Sequence, residues 1–338
     1  MRVPELWYED RPGPSLLQPL GWLYGVAAAA RRQAYRRGWL RSERVARPVV
    51  IVGNLTVGGT GKTPLTLWLC VQLRRLGRRP GILSRGYGRR SSEVRSVGVD
   101  ADWREVGDEP LLLARRSGCP TVVAAQRAAG AQALIAQGVD VILCDDGLQH
   151  LRLARDCEIV VVDGARGLGN ARLLPAGPLR EPPSRLRHAD LVVVNGAATH
   201  RSLSGIPMLR MDVRGSHALR LDGAAGPREL AAFRGGPVHA VAGMGNPARF
   251  FAMLRDAGLE IIAHPFADHH ALVSGDLAFG DTLPVLMTEK DAVKCSAFAD
   301  ARLWVVPVTA HLDGADETQL LQRVLGAIQA AEAARESN

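Results

Sequence analysis

Val49-Val50-Ile51-Val52-Gly53-Asn54-Leu55-Thr56-Val57-Gly58-Gly59-Thr60-Gly61-Lys62-Thr63-Pro64 runs from four β-branched apolar residues through a glycine-rich turn into Lys-Thr-Pro. The apolar run reads as a buried strand, and Lys-Thr opens a helix. Backbone N–H groups of such a turn, and of the helix that follows, point at phosphate oxygens, and glycine lets the backbone come close enough. The nucleotide-contacting set is therefore Thr56, Val57, Gly58, Gly59, Thr60, Gly61, Lys62 and Thr63. In it Lys62 reaches the β- and γ-phosphates and the Thr63 hydroxyl holds Mg2+. Thr56 stands where a phosphate-binding loop usually has its first glycine, so Gly58 and Gly59 must supply the flexibility. ATP with Mg2+ is the expected ligand.

The second half of such a site is an acid at the end of a neighbouring buried strand. Val139-Asp140-Val141-Ile142-Leu143-Cys144-Asp145-Asp146-Gly147 supplies it. Two adjacent carboxylates leaving an apolar strand are costly unless they meet a cation, and Mg2+ suits their oxygen donors. Thr63, Asp145 and Asp146 form the expected metal set; which acid binds directly is open at this point.

Working outward, short apolar runs alternate with helical stretches. Strands are expected at Val49–Gly53, Gly81–Ser84, Thr121–Ala125, Val139–Cys144, Ile159–Asp163 and Leu191–Asn195, and helices at Lys62–Leu76, Glu109–Ser117 and Arg127–Gln137. Continuous apolar strands between helices indicate an α/β fold, a P-loop NTPase-type parallel sheet with helices on both faces. Met208–Arg214 and Ala218–Leu221 alternate around Gly215-Ser216 and suggest a β-hairpin. A second βα series follows: Val238–Ala242, Ala248–Ala257, Ile261–Ala263, Val285–Thr288 and Leu303–Val308, then a helix from about Glu317 to Ala334. The expected division is a helical segment over 1–47, a P-loop domain over 48–205, a hairpin linker over 206–222 and a smaller α/β domain over 223–338.

The 338 residues are 47% hydrophobic and 22% charged, an ordinary globular composition. Five scattered cysteines without a CxxC pair argue against a disulfide framework or zinc site and fit a reducing compartment. The net charge of +8 invites anionic partners. Only three of the 42 basic residues are lysine, namely Lys62, Lys290 and Lys294. In an arginine-biased chain each lysine suggests a task for a compact ammonium.

Residues 15–30 are mostly apolar, carry Trp22 and Tyr24, and precede the arginines Arg31, Arg32, Arg36, Arg37, Arg41, Arg44 and Arg47. The stretch is too short to cross a bilayer, and Glu5, Glu9 and Asp10 stand where a signal peptide carries positive charge. It reads as an interfacial helix on an anionic membrane surface, or as a helix packed on the core with a solvated arginine face.

Further segments carry a family likeness. They are Ser84-Arg85-Gly86-Tyr87-Gly88, Val106-Gly107-Asp108-Glu109-Pro110, Asp145-Asp146-Gly147-Leu148-Gln149-His150 and Leu174-Pro175-Ala176-Gly177-Pro178-Leu179-Arg180-Glu181. Phe266-Ala267-Asp268-His269-His270 and Met287-Thr288-Glu289-Lys290-Asp291-Ala292-Val293-Lys294-Cys295 complete them. With the glycine-rich loop, their order and spacing resemble the tetraacyldisaccharide 4′-kinase family over most of the chain. The resemblance implies γ-phosphoryl transfer from ATP to the 4′-hydroxyl of tetraacyldisaccharide 1-phosphate, forming lipid IVA in lipid A biosynthesis. It also implies two α/β domains that close around nucleotide, at the cytoplasmic face of a bacterial inner membrane, peripheral or monotopic. The catalytic set it implies is Asp108 as base, His269 pairing with it, and Lys62. His270 is an alternative partner. Locally, Asp108 before Glu109-Pro110 also reads as a helix N-cap.

Other assignments stay open. Arg180 suits either a phosphate or an acid, Lys290 and Lys294 share a helix face, and Gly243-Met244-Gly245-Asn246-Pro247 makes only a weak dinucleotide turn. The rival reading is a membrane-associated P-loop ATPase switch of the partitioning type. Val57 replaces the lysine such loops carry before the glycine pair, and 315–338 is acidic rather than basic. Nothing marks a nucleic-acid site or an obligate protein partner.

Overall fold

The computed structural model describes residues 7–8, 15–298 and 300–337. Glu5, Glu9 and Asp10, which entered the reading of the N-terminus, lie outside the described residues. In chain order come α1 (Gln18–Arg36), β1 (Val49–Gly53), α2 (Lys62–Arg75), β2 (Pro80–Ser84), β3 (Arg95–Ser96), α3 (Trp103–Val106), α4 (Asp108–Ser117), β4 (Thr121–Val123), α5 (Arg127–Ala136), β5 (Val141–Asp145), β6 (Cys157–Asp163), β7 (Leu191–Asn195) and β8 (Leu209–Arg214). Then follow β9 (His217–Arg220), β10 (Arg228–Glu229), β11 (Pro237–Ala242), α6 (Pro247–Asp256), β12 (Glu260–Pro265), β13 (Val285–Thr288), α7 (Glu289–Cys295), β14 (Leu303–Val306), β15 (Thr309–Leu312) and α8 (Gly314–Glu336).

Among the described residues the strands form two sheets. The larger has the order β15-β8-β7-β6-β1-β5-β2-β4-β3, with antiparallel partners only at its two ends. Its apolar strands are covered on both faces, and the alternation is visible in β1. Val49 and Ile51 enter a core with Ile142, Val160 and the α5 residues Ala131 and Leu134. Val50 and Val52 enter the opposite core with Leu143, Val161 and the α2 residues Leu65 and Leu69. Burying each such side chain contributes about 1.5–3 kcal/mol, so a strand apolar at every position is worth most at the sheet centre.

Two expectations about the linker and the C-terminus are corrected. Leu209–Arg214 and His217–Arg220 do not pair as a hairpin: β8 stays in the large sheet between β7 and β15, while β9 joins the second sheet between β10 and β14. The turn between them is a crossing from one core to the other, because each strand buries its apolar side in a different sheet. Nor do residues from 309 onward belong to the second domain. β15 pairs with β8, and Leu320, Val324 and Ile328 of α8 fill the large sheet's core at the spacing of an amphipathic helix.

The second sheet has the order β10-β9-β14-β13-β11-β12, parallel from β14 to β12. Phe250, Phe251 and Leu254 of α6 cover one face and Ala292 and Cys295 of α7 the other. The halves meet where α7 packs on α4: Val293 joins the cluster of Val106, Leu111 and Ala114, and Arg116 pairs with Glu289.

Candidate active site

The glycine-rich turn leaves the C-terminal end of central β1, between β5 and β6. Gly61 caps α2 at φ +101°, and a side chain there would meet the Asn195 amide, which donates to the Thr60 carbonyl at 3.0 Å. Thr63 opens α2 beside Lys62. The Asn54 amide holds the Gly58 carbonyl at 3.2 Å. Alongside runs the segment of Leu174–Glu181: Val57 N–H donates to the Pro178 carbonyl (2.9 Å) and Arg180 N–H to Leu55 (2.7 Å). That pairing, through Thr56 and Leu179, delivers Arg180 to the turn.

Asp145 ends β5, one strand from Val52. Its carboxylate accepts from Thr66 Oγ1 of α2 at 3.2 Å. Burial pushes its carboxyl up to about 7, Glu109 adding to the rise and Lys62 opposing it. Asp146, at φ +52°, faces Lys62 Nζ at 3.6 Å and Arg180 Nη1 at 3.1 Å. Burial pushes its carboxyl up as well, but these cations hold it well below the usual range. Arg180 therefore pairs with Asp146, not with Glu181, which takes Arg32 of α1 at 3.0 Å. Thr60 Oγ1 and Asn54 Oδ1 are buried at the turn without a protein partner. Such orphaned oxygens, with the Thr63 hydroxyl and two carboxylates, fit a bound triphosphate and a hard, oxygen-seeking cation.

Asp108 stands at the start of α4. The N-cap of α4 is Gly107, at φ +96°, so Asp108 lies one residue inside the helix rather than capping it. Gly107 packs against Gly86, and neither could carry a side chain: a Cβ on Gly86 would lie 2.7 Å from the Val106 carbonyl. The Ser84–Gly88 segment thus fixes the start of α4. His269, at φ +60°, comes from the second domain and places Nδ1 3.1 Å from both Asp108 oxygens. His270 turns elsewhere, to Asp276 at 2.9 Å. Asp268 meets Lys290 at 2.8 Å. Burial acts to raise the Asp108 carboxyl, but the His269 hydrogen bond, Lys290 and Lys294 bring it below its ordinary value. Burial acts to lower His269, and Asp108 overrides it, leaving the imidazole above its ordinary value.

The sequence reading missed three contributors. Tyr87 lies against the His269 ring, centroids 5.0 Å apart. Tyr8 sits under Arg166 (3.7 Å) and donates to the Val57 carbonyl at 3.2 Å, tying the N-terminus to the turn. Arg127 opens α5 almost wholly buried, 3.2 Å from His150. Burial, then Arg127 and Arg85, push His150 down to about 4, leaving it neutral at physiological pH. Arg127 Nε and Arg89 Nη2 are buried without partners. Only an arginine at the mouth of an apolar helix signalled this cluster. Gly243–Pro247 proves to be an interdomain contact: Gly245 abuts Gly58, and Asn246 and Arg249 both reach Asp163 at 3.0 Å.

Comparison with known proteins places the chain in a family. The sequence profile of the family described as Tetraacyldisaccharide-1-P 4′-kinase matches residues 14–328. The chain belongs to this family. A tetraacyldisaccharide 4′-kinase of Alkalilimnicola ehrlichii is 51% identical over 323 residues, covering 94% of this chain and 95% of the relative. That of Aromatoleum aromaticum is 49% identical, covering 95% and 97%. Among solved structures, the "apo" form of LpxK from Aquifex aeolicus in complex with ATP superposes with a TM-score of 0.77 at 29% identity, covering 93% of this chain and 99% of that one. As a tetraacyldisaccharide 4′-kinase family member the chain is a kinase of the P-loop α/β class, and the partitioning-ATPase alternative falls away.

Proposed function

We propose that the chain transfers the γ-phosphoryl group of ATP to the 4′-hydroxyl of tetraacyldisaccharide 1-phosphate, with Asp108 as general base and Lys62, Arg180 and the amides of 56–63 neutralising phosphate charge. The observation that carries this is the Asp108–His269 pair, with Nδ1 3.1 Å from both carboxylate oxygens, next to Glu109, whose charge acts on Asp145 at the end of β5. Phosphoryl transfer asks a protein for positioning, charge neutralisation and a group to receive the attacking hydroxyl's proton. Asp108 is ionised at neutral pH and can receive it; His269, held by the same carboxylate, can share the charge. Thr63, Asp145 and Asp146 would hold Mg2+, which would supply Lewis-acid neutralisation of the phosphate charge. The partnerless nitrogens of Arg127 and Arg89 suit an anionic group on the acceptor.

The acceptor is a lipid, and α1 offers a way to meet it at an anionic membrane surface. Trp22, Leu23 and Val26 are 65–67% exposed, while Arg32 and Tyr24 tie the helix to Glu181 and Arg180 beside the site. No helix among the described residues is long and apolar enough to cross a membrane. Attachment would be interfacial, on the cytoplasmic side where ATP and Mg2+ are found. Incubation of the purified chain with the disaccharide 1-phosphate, Mg2+ and radiolabelled ATP, resolved by thin-layer chromatography, tests the reading. A labelled bisphosphate is expected; ATP hydrolysis without it would overturn the assignment.

A further inference from the structure

Two of the chain's three lysines stand one turn apart on α7, and neither reaches toward the glycine-rich turn. Lys290 lies 2.8 Å from both Glu109 and Asp268, and 3.4 Å from His269 Nε2. Lys294 is the more unusual, because its side chain is wholly shielded from solvent. Its ammonium donates to Asp291 at 3.1 Å and to the His270 carbonyl at 3.0 Å, and faces Asp108 Oδ2 at 3.7 Å. Asp291 is equally buried and fixed in turn by Gly243 N–H (2.8 Å) and Thr288 Oγ1 (2.6 Å). An ammonium has three donors, and this anchoring uses two. Asp291 alone would compensate a buried cation, so the approach to Asp108 exceeds what burial requires.

We propose that Lys294 is a positioning residue for phosphoryl transfer, its anchored ammonium on α7 holding and aiming the Asp108 carboxylate together with His269 from the loop after β12, both reaching it from the second sheet's side. The inference rests on Asp108 acting as the base. Besides Lys294, the charged groups acting on Asp108 are Lys290 on α7 and His269 on the loop after β12. Around them, Glu109 of α4 and Asp268 pair with Lys290, Asp268 also lies 3.7 Å from His269, Asp291 pairs with Lys294, and Glu109 acts in turn on Asp145. Lys290 also lowers the Asp108 carboxyl, but its ammonium is bonded to two other acids, whereas Lys294 is the lysine that comes within 4 Å of the carboxylate. A compact ammonium suits this cramped place, where a guanidinium fork would not.

The test is the pH profile of kcat at saturating ATP and lipid acceptor for the unmodified enzyme, Lys294→Met and the double variant Asp291→Asn/Lys294→Met. The double variant removes the buried charges as a pair and carries the comparison where the single one does not fold. Losing a cation beside a carboxylate raises its proton affinity, so the acid limb moves upward by roughly 1 pH unit. KM for ATP stays within roughly threefold, since binding geometry at the turn is untouched. An acid limb coinciding with the unmodified enzyme's in the folded variants, or a loss confined to KM, overturns the proposal. Asp108→Asn in the same assay tests the base separately: full activity there would defeat the underlying reading, whatever Lys294 does.

Discussion

His269 Nδ1 lies 3.1 Å from both oxygens of Asp108, although 161 residues separate them and each belongs to a different sheet's domain. The ion pair therefore depends on the two cores being docked through α4 and α7, and so does the base proposed for the reaction.

Asp108→Asn keeps the size of the side chain and removes its basicity. Turnover is expected to fall about 10²- to 10⁴-fold with little change in KM for ATP. Labelled-product assays over a range of ATP concentrations check both quantities.

The same pair gives stability a pH window. The Asp108 carboxyl is lowered in the folded protein, so its contribution is present above the unfolded value and fades as pH falls through the folded one. The His269 imidazole is raised, so its contribution is complete below the unfolded value and fades as pH rises through the folded one. The melting-temperature gap between the protein and His269→Asn is expected to be widest between about pH 4 and 6.5. A gap that grows steadily toward pH 9 would refute this assignment of charges.

Lys62→Ala leaves Asp146 to Arg180 alone and removes the ammonium proposed to meet the phosphates. A loss of about 10²- to 10³-fold in kcat is expected, as for other preorganised charge donors. Asp145→Asn should instead raise the Mg2+ concentration needed for half-maximal rate, read from a magnesium titration at fixed ATP.

Gly245→Ala would put a methyl group 2.5 Å from the Gly58 Cα, backbone against backbone. The second domain must then shift off the turn. Activity is expected to drop by about 10²-fold, the cost of a misplacement near 1 Å, while the melting temperature changes little because both cores are intact.

Replacing Trp22, Leu23 and Val26 together by serine touches exposed side chains and should alter stability by less than about 0.5 kcal/mol each. Co-sedimentation with anionic vesicles should fall steeply, and unchanged sedimentation would remove α1 as the membrane contact.

Much of this protein was decided by its local sequence. Val49–Gly53 and Leu191–Asn195 have the bounds read from their apolar runs, because a strand buried on both faces admits no polar residue inside it. The loop over 56–63 and the acids at 145–146 stood out because a phosphate loop and its acid call for particular residue types at fixed spacing, and the structure brings the two together at the ends of β1 and β5. Tertiary structure alone decided the rest. Met208–Leu221 has the alternation of a hairpin, yet its halves enter different cores, since alternation fixes which face is buried and not what buries it. The return of α8 to the large sheet, the choice of His269 over His270, and the turning of Lys290 and Lys294 toward acids rather than phosphates all depend on contacts between distant segments. Periodicity carries no information about those contacts, because the free energy that selects them arises only when two separately formed surfaces meet.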